Sequence, residues 1–153
     1  HVIDHALSLT VAFPSHGIYA AEVVASFPHI DSAILKIDTT DAPFVSLASA
    51  PTYIEEAPIT FIGNPLSFSM IANKGVLKEP ILLEDWSSAV YMIDAPVYKG
   101  NSGSPVFNEN MDVIGIIFAT MSHRSLGKVG LLIPIETLLN VAPANFVEAI
   151  QLQ

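Results

Sequence analysis

Short runs of β-branched and aromatic residues, separated by turn-forming residues, constrain the fold of this 153-residue chain more than any other feature. Such runs predict β-strands, because branched and aromatic side chains pack well on a pleated, half-buried surface. The predicted strands are 7–13, 18–26, 32–38, 44–47, 59–63, 68–77, 89–94, 113–119 and 129–134. Turn residues at 14–17, 41–43 and 108–110 separate some of them. Close spacing of short strands predicts a barrel or a sandwich rather than alternating strands and helices.

The composition limits the classes of protein that this chain can represent. A chain of 153 residues with 51% apolar residues fits one folded domain, and only residues 143–150 are predicted to be helical. No apolar run reaches the length of a membrane span, so we expect no membrane insertion. The net charge of −9, with six Lys and Arg residues, argues against nucleic acid as a partner. Without cysteine, and with five scattered histidines, we expect no metal site and no cofactor.

The segment 100–107, Gly-Asn-Ser-Gly-Ser-Pro-Val-Phe, carries the clearest chemical signal. A serine hydroxyl becomes a strong nucleophile only when a base removes its proton. The attacked carbonyl then becomes an oxyanion, which requires N–H donors that already point at it. Gly100 allows a tight turn in which its own N–H and that of Ser102 converge. The segment predicts Ser102 as nucleophile and Gly100, Asn101 and Ser102 as the oxyanion hole.

This segment, followed by a strand with Ile-Gly-Ile at 114–116, resembles the nucleophile segment of trypsin-like peptidases. It is similar to the cysteine-free bacterial branch, the HtrA/Deg proteins and glutamyl endopeptidases. His-Val-Ile-Asp-His-Ala at 1–6 resembles the family segment in which the catalytic histidine opens a short helical turn. Asp-Ser-Ala-Ile-Leu at 31–35 resembles the segment with the catalytic aspartate. The resemblance therefore implies a triad of His1, Asp31 and Ser102, in the order typical of trypsin-like enzymes.

The resemblance extends from residue 1 to about residue 139, through Gly-Asn-Pro at 63–65 and Ile-Pro-Ile at 133–135. It implies an all-β, trypsin-like double β-barrel with an incomplete first barrel and a short C-terminal helix. Residues 1–153 would form one peptidase domain, with 1–50 the remainder of the first barrel and 57–153 the second barrel and helix. The family has two strands before its catalytic histidine. We therefore expect the isolated chain to be inactive or poorly folded and a longer parent to be active.

The resemblance also implies a substrate and a setting. The expected activity is that of a serine endopeptidase, which cleaves polypeptides through an acyl-enzyme intermediate. HtrA relatives are commonly trimeric and belong to the bacterial envelope or are secreted, so a trimer of the longer parent and a periplasmic or secreted location are expected. Asn101 stands where many trypsin relatives have aspartate, which implies no activation by a freed N-terminal amine.

The position of the substrate-binding residues follows from the same resemblance. The candidates are Pro96, Val97, Lys99, Ile117, Phe118, Ala119 and Thr120. Residues 96, 97 and 117 would line the primary pocket, and residues 118–120 would pair with the substrate backbone as an added strand. This mostly apolar set predicts a small or medium aliphatic side chain at P1, the residue on the amino side of the cleaved bond. Ile117 stands where glutamyl endopeptidases have a histidine that reads an acidic side chain, which argues against acidic specificity.

Two other functions are compatible with parts of the pattern. An α/β-hydrolase could use Ser102, Asp112 and His123 in its own chain order. Against it, the motif would need glycine at Ser104, and Pro105 stands where a helix should follow. The second alternative is a catalytically inactive peptidase fold that serves as a binding module. Separately, His1 alone is compatible with a solvated terminal residue, and Asp31 alone with a residue that turns the chain before the strand at Ser32.

Overall fold

The computed structural model describes residues 1–67 and 70–151 and is rich in β-structure. The strands of this part are β1 Thr10–Phe13, β2 Gly17–Phe27, β3 Ser32–Ile37, β4 Pro58–Gly63, β5 Ile71–Ile81, β6 Val90–Asp94, β7 Pro105–Phe107, β8 Val113–His123 and β9 Gly127–Pro134. The helices are α1 Ile135–Val141 and α2 Ala144–Gln151, with 3₁₀ turns at Pro28–Ile30 and Pro65–Ser67. No helix in the described ranges has both the length and the apolar character needed to cross a membrane.

The chain divides into two compact units, one formed by His1–Phe44 with Val141–Gln153 and the other by Val45–Asn140. The first unit contains an antiparallel sheet in the order β1-β2-β3. β2 pairs antiparallel with β1, with Ala20 opposite Thr10. A register shift near Val23 interrupts the pairing of β2 with β3. Ile30 and Ile34 are the buried apolar anchors beside this sheet.

The second unit is a closed barrel in the strand order β4-β5-β6-β9-β8-β7. Its core contains Phe61, Leu77, Ile93, Ile117 and Leu132, none of which is more than 1% exposed. These residues come from five strands, and their side chains meet because alternate residues of a strand point into the barrel. Each strand of the ring pairs with two neighbours along at least part of its length. The barrel is therefore a firm support for the loops at its ends.

The all-β fold class predicted from the sequence is confirmed, as one closed barrel with a second, open sheet and short helices. The strand predicted at 44–47 is wrong: Phe44 is 73% exposed, and only Leu47 forms a bridge, with Val113. Of the strand predicted at 68–77, residues 68 and 69 lie outside the described residues, and β5 begins at Ile71. The sequence analysis missed β7 and α1. The predicted division at residues 50–57 stays a prediction.

Candidate active site

His1 and Asp31 form a hydrogen-bonded pair in the first unit. The ring Nδ1 of His1 lies 2.6 Å from Oδ2 of Asp31, and the His1 amino group donates to Oδ1 at 2.6 Å. Both oxygens of the carboxylate are therefore engaged by a residue thirty positions earlier.

The local backbone explains how Asp31 reaches His1. Asp31 follows the 3₁₀ turn Pro28–Ile30 and adopts a left-handed conformation, with φ 48°. Its N–H donates to the carbonyl oxygen of Pro28 at 3.2 Å, which closes the turn. This conformation is uncommon except in glycine, asparagine and aspartate, so an aspartate suits the position. β3 begins at the next residue and anchors the turn to the sheet.

The contact of Asp31 with Nδ1 determines which ring nitrogen of His1 is available for chemistry. A carboxylate accepts a hydrogen bond from Nδ1–H, and in the neutral ring the lone pair is then on Nε2. His1 is half exposed, with 49% of its side chain accessible, whereas the Asp31 side chain is 22% exposed. Nε2 is therefore the nitrogen that can act as a general base. His29, two residues before Asp31, instead packs edge-on against Phe27.

Ser102 lies in the second unit, in the loop between β6 and β7. Its hydroxyl donates to the carbonyl oxygen of Phe118 in β8 at 3.2 Å. Two backbone bonds join the next turn to the same strand: Gly103 N–H to Ile117 O at 2.8 Å, and Ile117 N–H to Ser104 O at 3.0 Å. Ser102 is thus held against β8 by the residues that follow it, while its side chain stays partly exposed.

The peptide between Lys99 and Gly100 has a defined orientation. Its carbonyl oxygen accepts a hydrogen bond from Leu66 N–H at 2.9 Å. In a trans peptide the N–H points to the opposite side, so Gly100 N–H points away from Leu66. Gly100 has φ 98°, and a Cβ there would collide with the carbonyl oxygen of Asn64. In the described ranges, neither Gly100 N–H nor Ser102 N–H donates to a protein acceptor, so both can serve a ligand.

Asn101 has a different role from its two neighbours. Its N–H donates to Tyr98 O at 3.1 Å, and its Oδ1 accepts from Tyr98 N–H at 2.9 Å. The side chain is fully buried, and its Nδ2 has no hydrogen-bond partner in the described part of the chain. The Asn101 amide predicted as an oxyanion donor is therefore engaged within the turn. The buried side chain instead braces the loop that carries Ser102, a role that the sequence did not reveal.

A cavity of about 260 Å³ lies next to Ser102 in the second unit. Its lining residues are Val97, Tyr98, Lys99, Ser102, Ile117, Ala119, Thr120 and Lys128. Five of the predicted substrate-binding residues are thus brought together: those at positions 97, 99, 117, 119 and 120. Pro96 does not line this cavity, and Phe118 packs instead against Trp86, with ring centroids 5.0 Å apart. Tyr98 and Lys128 were not predicted.

The α/β-hydrolase alternative is excluded by the elements around Ser102. That fold requires a helix directly after the nucleophile. Here β7 begins at Pro105 and pairs antiparallel with β8. A loop between strands of a closed barrel is instead typical of trypsin-like enzymes. Across residues 1–67 and 70–151, no three histidine or acidic side chains cluster as metal ligands would.

The chain belongs to the family described as "Trypsin-like peptidase domain", whose model matches residues 1–116. The sequence is 32% identical over 146 residues to "Probable periplasmic serine endoprotease DegP-like" of Pseudomonas savastanoi pv. phaseolicola, with 93% of this chain and 30% of that protein covered. The resemblance to HtrA/Deg-type peptidases is therefore confirmed. This chain spans about a third of the length of such curated relatives.

Solved structures show the same similarity. "HtrA-type protease AlgW with decapeptide" superimposes with a TM-score of 0.83 at 26% identity, over 98% of this chain and 46% of that one. The serine endoprotease from Yersinia pestis gives a TM-score of 0.79 at 27% identity, over 92% of this chain and 49% of that one. The fold is therefore that of HtrA-type proteases.

Proposed function

We propose that the protein is a serine endopeptidase that cleaves polypeptides through Ser102, His1 and Asp31. The observation that carries the proposal is the 2.6 Å contact between His1 Nδ1 and Asp31 Oδ2. A carboxylate on Nδ1 fixes the ring orientation and tautomer and stabilises the imidazolium that forms during the reaction. The family match and the similarity to HtrA-type protease structures support the same proposed activity.

The reaction begins when Ser102 Oγ attacks the carbonyl carbon of the substrate and its proton passes to His1 Nε2. For this step, the hydroxyl must leave Phe118 O and donate its hydrogen bond to the base instead. The imidazolium then gives the proton to the leaving amine, and an acyl-enzyme forms. A water molecule, deprotonated by the same nitrogen, hydrolyses the ester and frees Ser102.

The oxyanion donors in this proposal are the N–H groups of Gly100 and Ser102. Neither has a protein acceptor in the described ranges, and the Leu66 N–H to Lys99 O bond turns Gly100 N–H away from Leu66. Removal of one such donor typically lowers kcat by about 10²–10³-fold. The bond between Leu66 and Lys99 is therefore part of the catalytic apparatus, although neither side chain takes part in it.

Substrate backbone would bind along β8. β7 pairs with residues 113–116 of this strand, whereas β9 pairs with residues 115–123. Past Ile117, whose N–H and carbonyl oxygen are bonded to Ser104 and Gly103, no described strand pairs with the side of β8 that faces away from β9, which supports backbone pairing at 118–120. The predictions of a trimeric parent and of a periplasmic or secreted location stay predictions, and the names of the DegP-like relatives support the second.

A fluorophosphonate probe tests the proposal, because only an activated serine reacts with it quickly. We expect the longer parent protein to be labelled and to cleave casein, and both activities to be lost in its Ser102→Ala variant. Ser122→Ala is a matched control, since Ser122 is an exposed serine of β8 opposite Lys128. Absence of labelling in folded protein would favour the inactive binding module.

A further inference from the structure

We propose that the cavity beside Ser102 selects an acidic P1 side chain, with Lys128 and Lys99 supplying the positive charge. This inference rests on the proposed peptidase function and names its substrate class. It differs from the aliphatic preference that the sequence predicts. The reason is Lys128, which lies in β9, outside the segments from which the sequence prediction was made.

The distribution of charge supports an anionic ligand. The chain has six Lys and Arg residues against fifteen Asp and Glu residues, and two of the six cations line this one cavity. No acidic residue is among the described residues of its lining. In the part of the chain that the structure describes, neither lysine has a carboxylate within ion-pair distance. Both ammonium groups are therefore available to a ligand.

The position of Lys128 is set by the hairpin of β8 and β9. Lys128 pairs with Ser122 across the two strands, two residues along β8 from Thr120. Its Nζ lies 5.8 Å from the centre of the Tyr98 ring, which also lines the cavity. A cation over an aromatic face at this distance is attracted by the ring. The ammonium group thus has a preferred place beside the cavity, while it remains free to bind a carboxylate.

The remaining lining suits the stem of an acidic side chain. Val97, Ile117 and Ala119 provide apolar surface for methylene groups, and Thr120 adds a hydroxyl group. A cavity of about 260 Å³ is smaller than the roughly 300–1,000 Å³ typical of sites for whole small ligands. It therefore fits one side chain. A glutamate side chain combines two methylene groups with a terminal carboxylate, which matches apolar walls with cations beside them.

Ile117 does not prevent Lys128 and Lys99 from binding an acidic P1 side chain. The sequence argument against acidic specificity assumed that the side chain that binds the acidic P1 residue must lie in the strand after the nucleophile. Here the charge comes from β9 and from the residue before Gly100, while Ile117 is a buried wall residue. The net charge of −9 disfavours long-range approach of acidic peptides, so selectivity must come from contacts within the cavity.

The test compares peptide substrates that differ only at P1, with glutamate, glutamine or valine. Glutamate and glutamine have the same shape, so the ratio of their kcat/KM values isolates charge. It does not depend on the fraction of active enzyme. We expect a ratio of about 10 for the unaltered protein, which corresponds to the roughly 1.4 kcal/mol of a single favourable charge contact. Lys128→Gln should lower the ratio to about 1–3, and Lys128→Arg should keep it high.

Lys74→Gln is the matched control, because Lys74 is an exposed lysine of β5 that does not line the cavity. In the Lys74→Gln variant, the ratio of kcat/KM for the glutamate peptide to that for the glutamine peptide should equal the ratio in the unaltered protein. A ratio of 1 or below in the unaltered protein would overturn the inference, as would a ratio that neither Lys128→Gln nor Lys99→Gln changes. If the peptide with valine at P1 is cleaved and Ser102 is labelled, but the peptide with glutamate at P1 is not cleaved, the inference fails and the peptidase function stands.

A binding assay separates failure of the inference from failure of the peptidase function. Ser102→Ala protein is titrated with fluorescent peptides containing glutamate or glutamine at the same position, and anisotropy is recorded. Tighter binding of the glutamate peptide supports the assignment of the cavity as a site for an acidic P1 side chain, even if no peptide is cleaved. This preference should be lost in the Ser102→Ala, Lys128→Gln double variant. Equal binding of the two peptides would contradict it.

Discussion

Asn101 and Tyr98 are joined by two hydrogen bonds, one from the Asn101 N–H to Tyr98 O and one from the Tyr98 N–H to Asn101 Oδ1. The asparagine side chain is fully buried, and its removal leaves the Tyr98 N–H without its protein acceptor. A buried N–H without a partner costs about 1–3 kcal/mol. The loop before Ser102 therefore depends on a side chain that need not contact the substrate.

Asn101→Ala should lower the free energy of unfolding by about 1–3 kcal/mol, because Tyr98 N–H loses its acceptor in a partly buried place and a buried side chain is removed. It should also reduce kcat/KM, since the loop that presents Ser102 is loosened. Urea denaturation and a peptidase assay measure the two effects. Asn110→Ala, at an exposed turn position, is the control and should change neither. Unchanged stability in Asn101→Ala would contradict the bracing role.

Gly100→Ala should reduce activity by about 10²–10³-fold, because the new methyl group would meet Asn64 O and displace the peptide that carries an oxyanion donor. Gly17→Ala is a close control. Gly17 has φ 100°, against 98° for Gly100, but a Cβ there has no atom within 4 Å. It should therefore carry only the conformational cost of roughly 1 kcal/mol, with activity retained. Equal activity in the two variants would count against the proposed oxyanion hole.

Asp31→Asn should lower kcat by about 10⁴-fold while the fold is retained. An amide nitrogen placed toward His1 Nδ1 would donate a hydrogen bond rather than accept one, and the lone pair would then be on Nδ1 instead of Nε2. Asp38→Asn, at an exposed position just after β3, is the matched control and should remain active. Steady-state kinetics with a peptide substrate provide the comparison. A variant with normal kcat would exclude Asp31 from the triad.

Tyr53 should make the protein less stable at alkaline pH. Burial raises the pKa of Tyr53 above its usual value near 10, and the negative charge of Glu136 adds to the effect. The folded state then holds the phenol proton more tightly than the unfolded state does. This contribution is complete below about pH 10 and is lost as the pH rises toward the folded-state pKa.

Tyr53→Phe tests this dependence. At about pH 8 the variant should be less stable by about 1 kcal/mol, because the hydrogen bond from the phenol to Ile114 O is lost. The difference should shrink by about pH 11, since the wild type alone must lose the proton on unfolding. If the free energies of unfolding of Tyr53→Phe and the wild type differed by the same amount at every pH, the prediction would be contradicted.

The sequence predicted the fold class and most strands because period-two patterns and turn residues are local signals. The strand expected at 44–47 did not form, since apolar character alone does not supply a pairing partner: only Leu47 bridges to Val113. β7 was missed because its three residues, which begin with Pro105, are too few to show a pattern. α1 begins directly where β9 ends, so no turn signal separates the two.

The candidate site was predicted less completely than the fold. The resemblance identified His1 and Asp31, which the structure joins by a hydrogen bond. Lys128 escaped notice because its place at the cavity depends on the pairing of β8 with β9, which no local pattern specifies. The buried brace of Asn101 also depends on tertiary packing. A polar residue in a Gly/Ser-rich segment carries no sign of burial until the barrel is known.

The hairpin that bears Lys128 is separate in sequence from the loop that bears Ser102, although both border one cavity. Part of the proposed selectivity is consequently encoded apart from the loop that bears Ser102, although Lys99 belongs to that loop. A few codon changes around residue 128 could redirect which peptides are cut and leave the hydrolytic machinery intact. The same independence offers an engineer a short stretch to randomise when new cleavage preferences are sought.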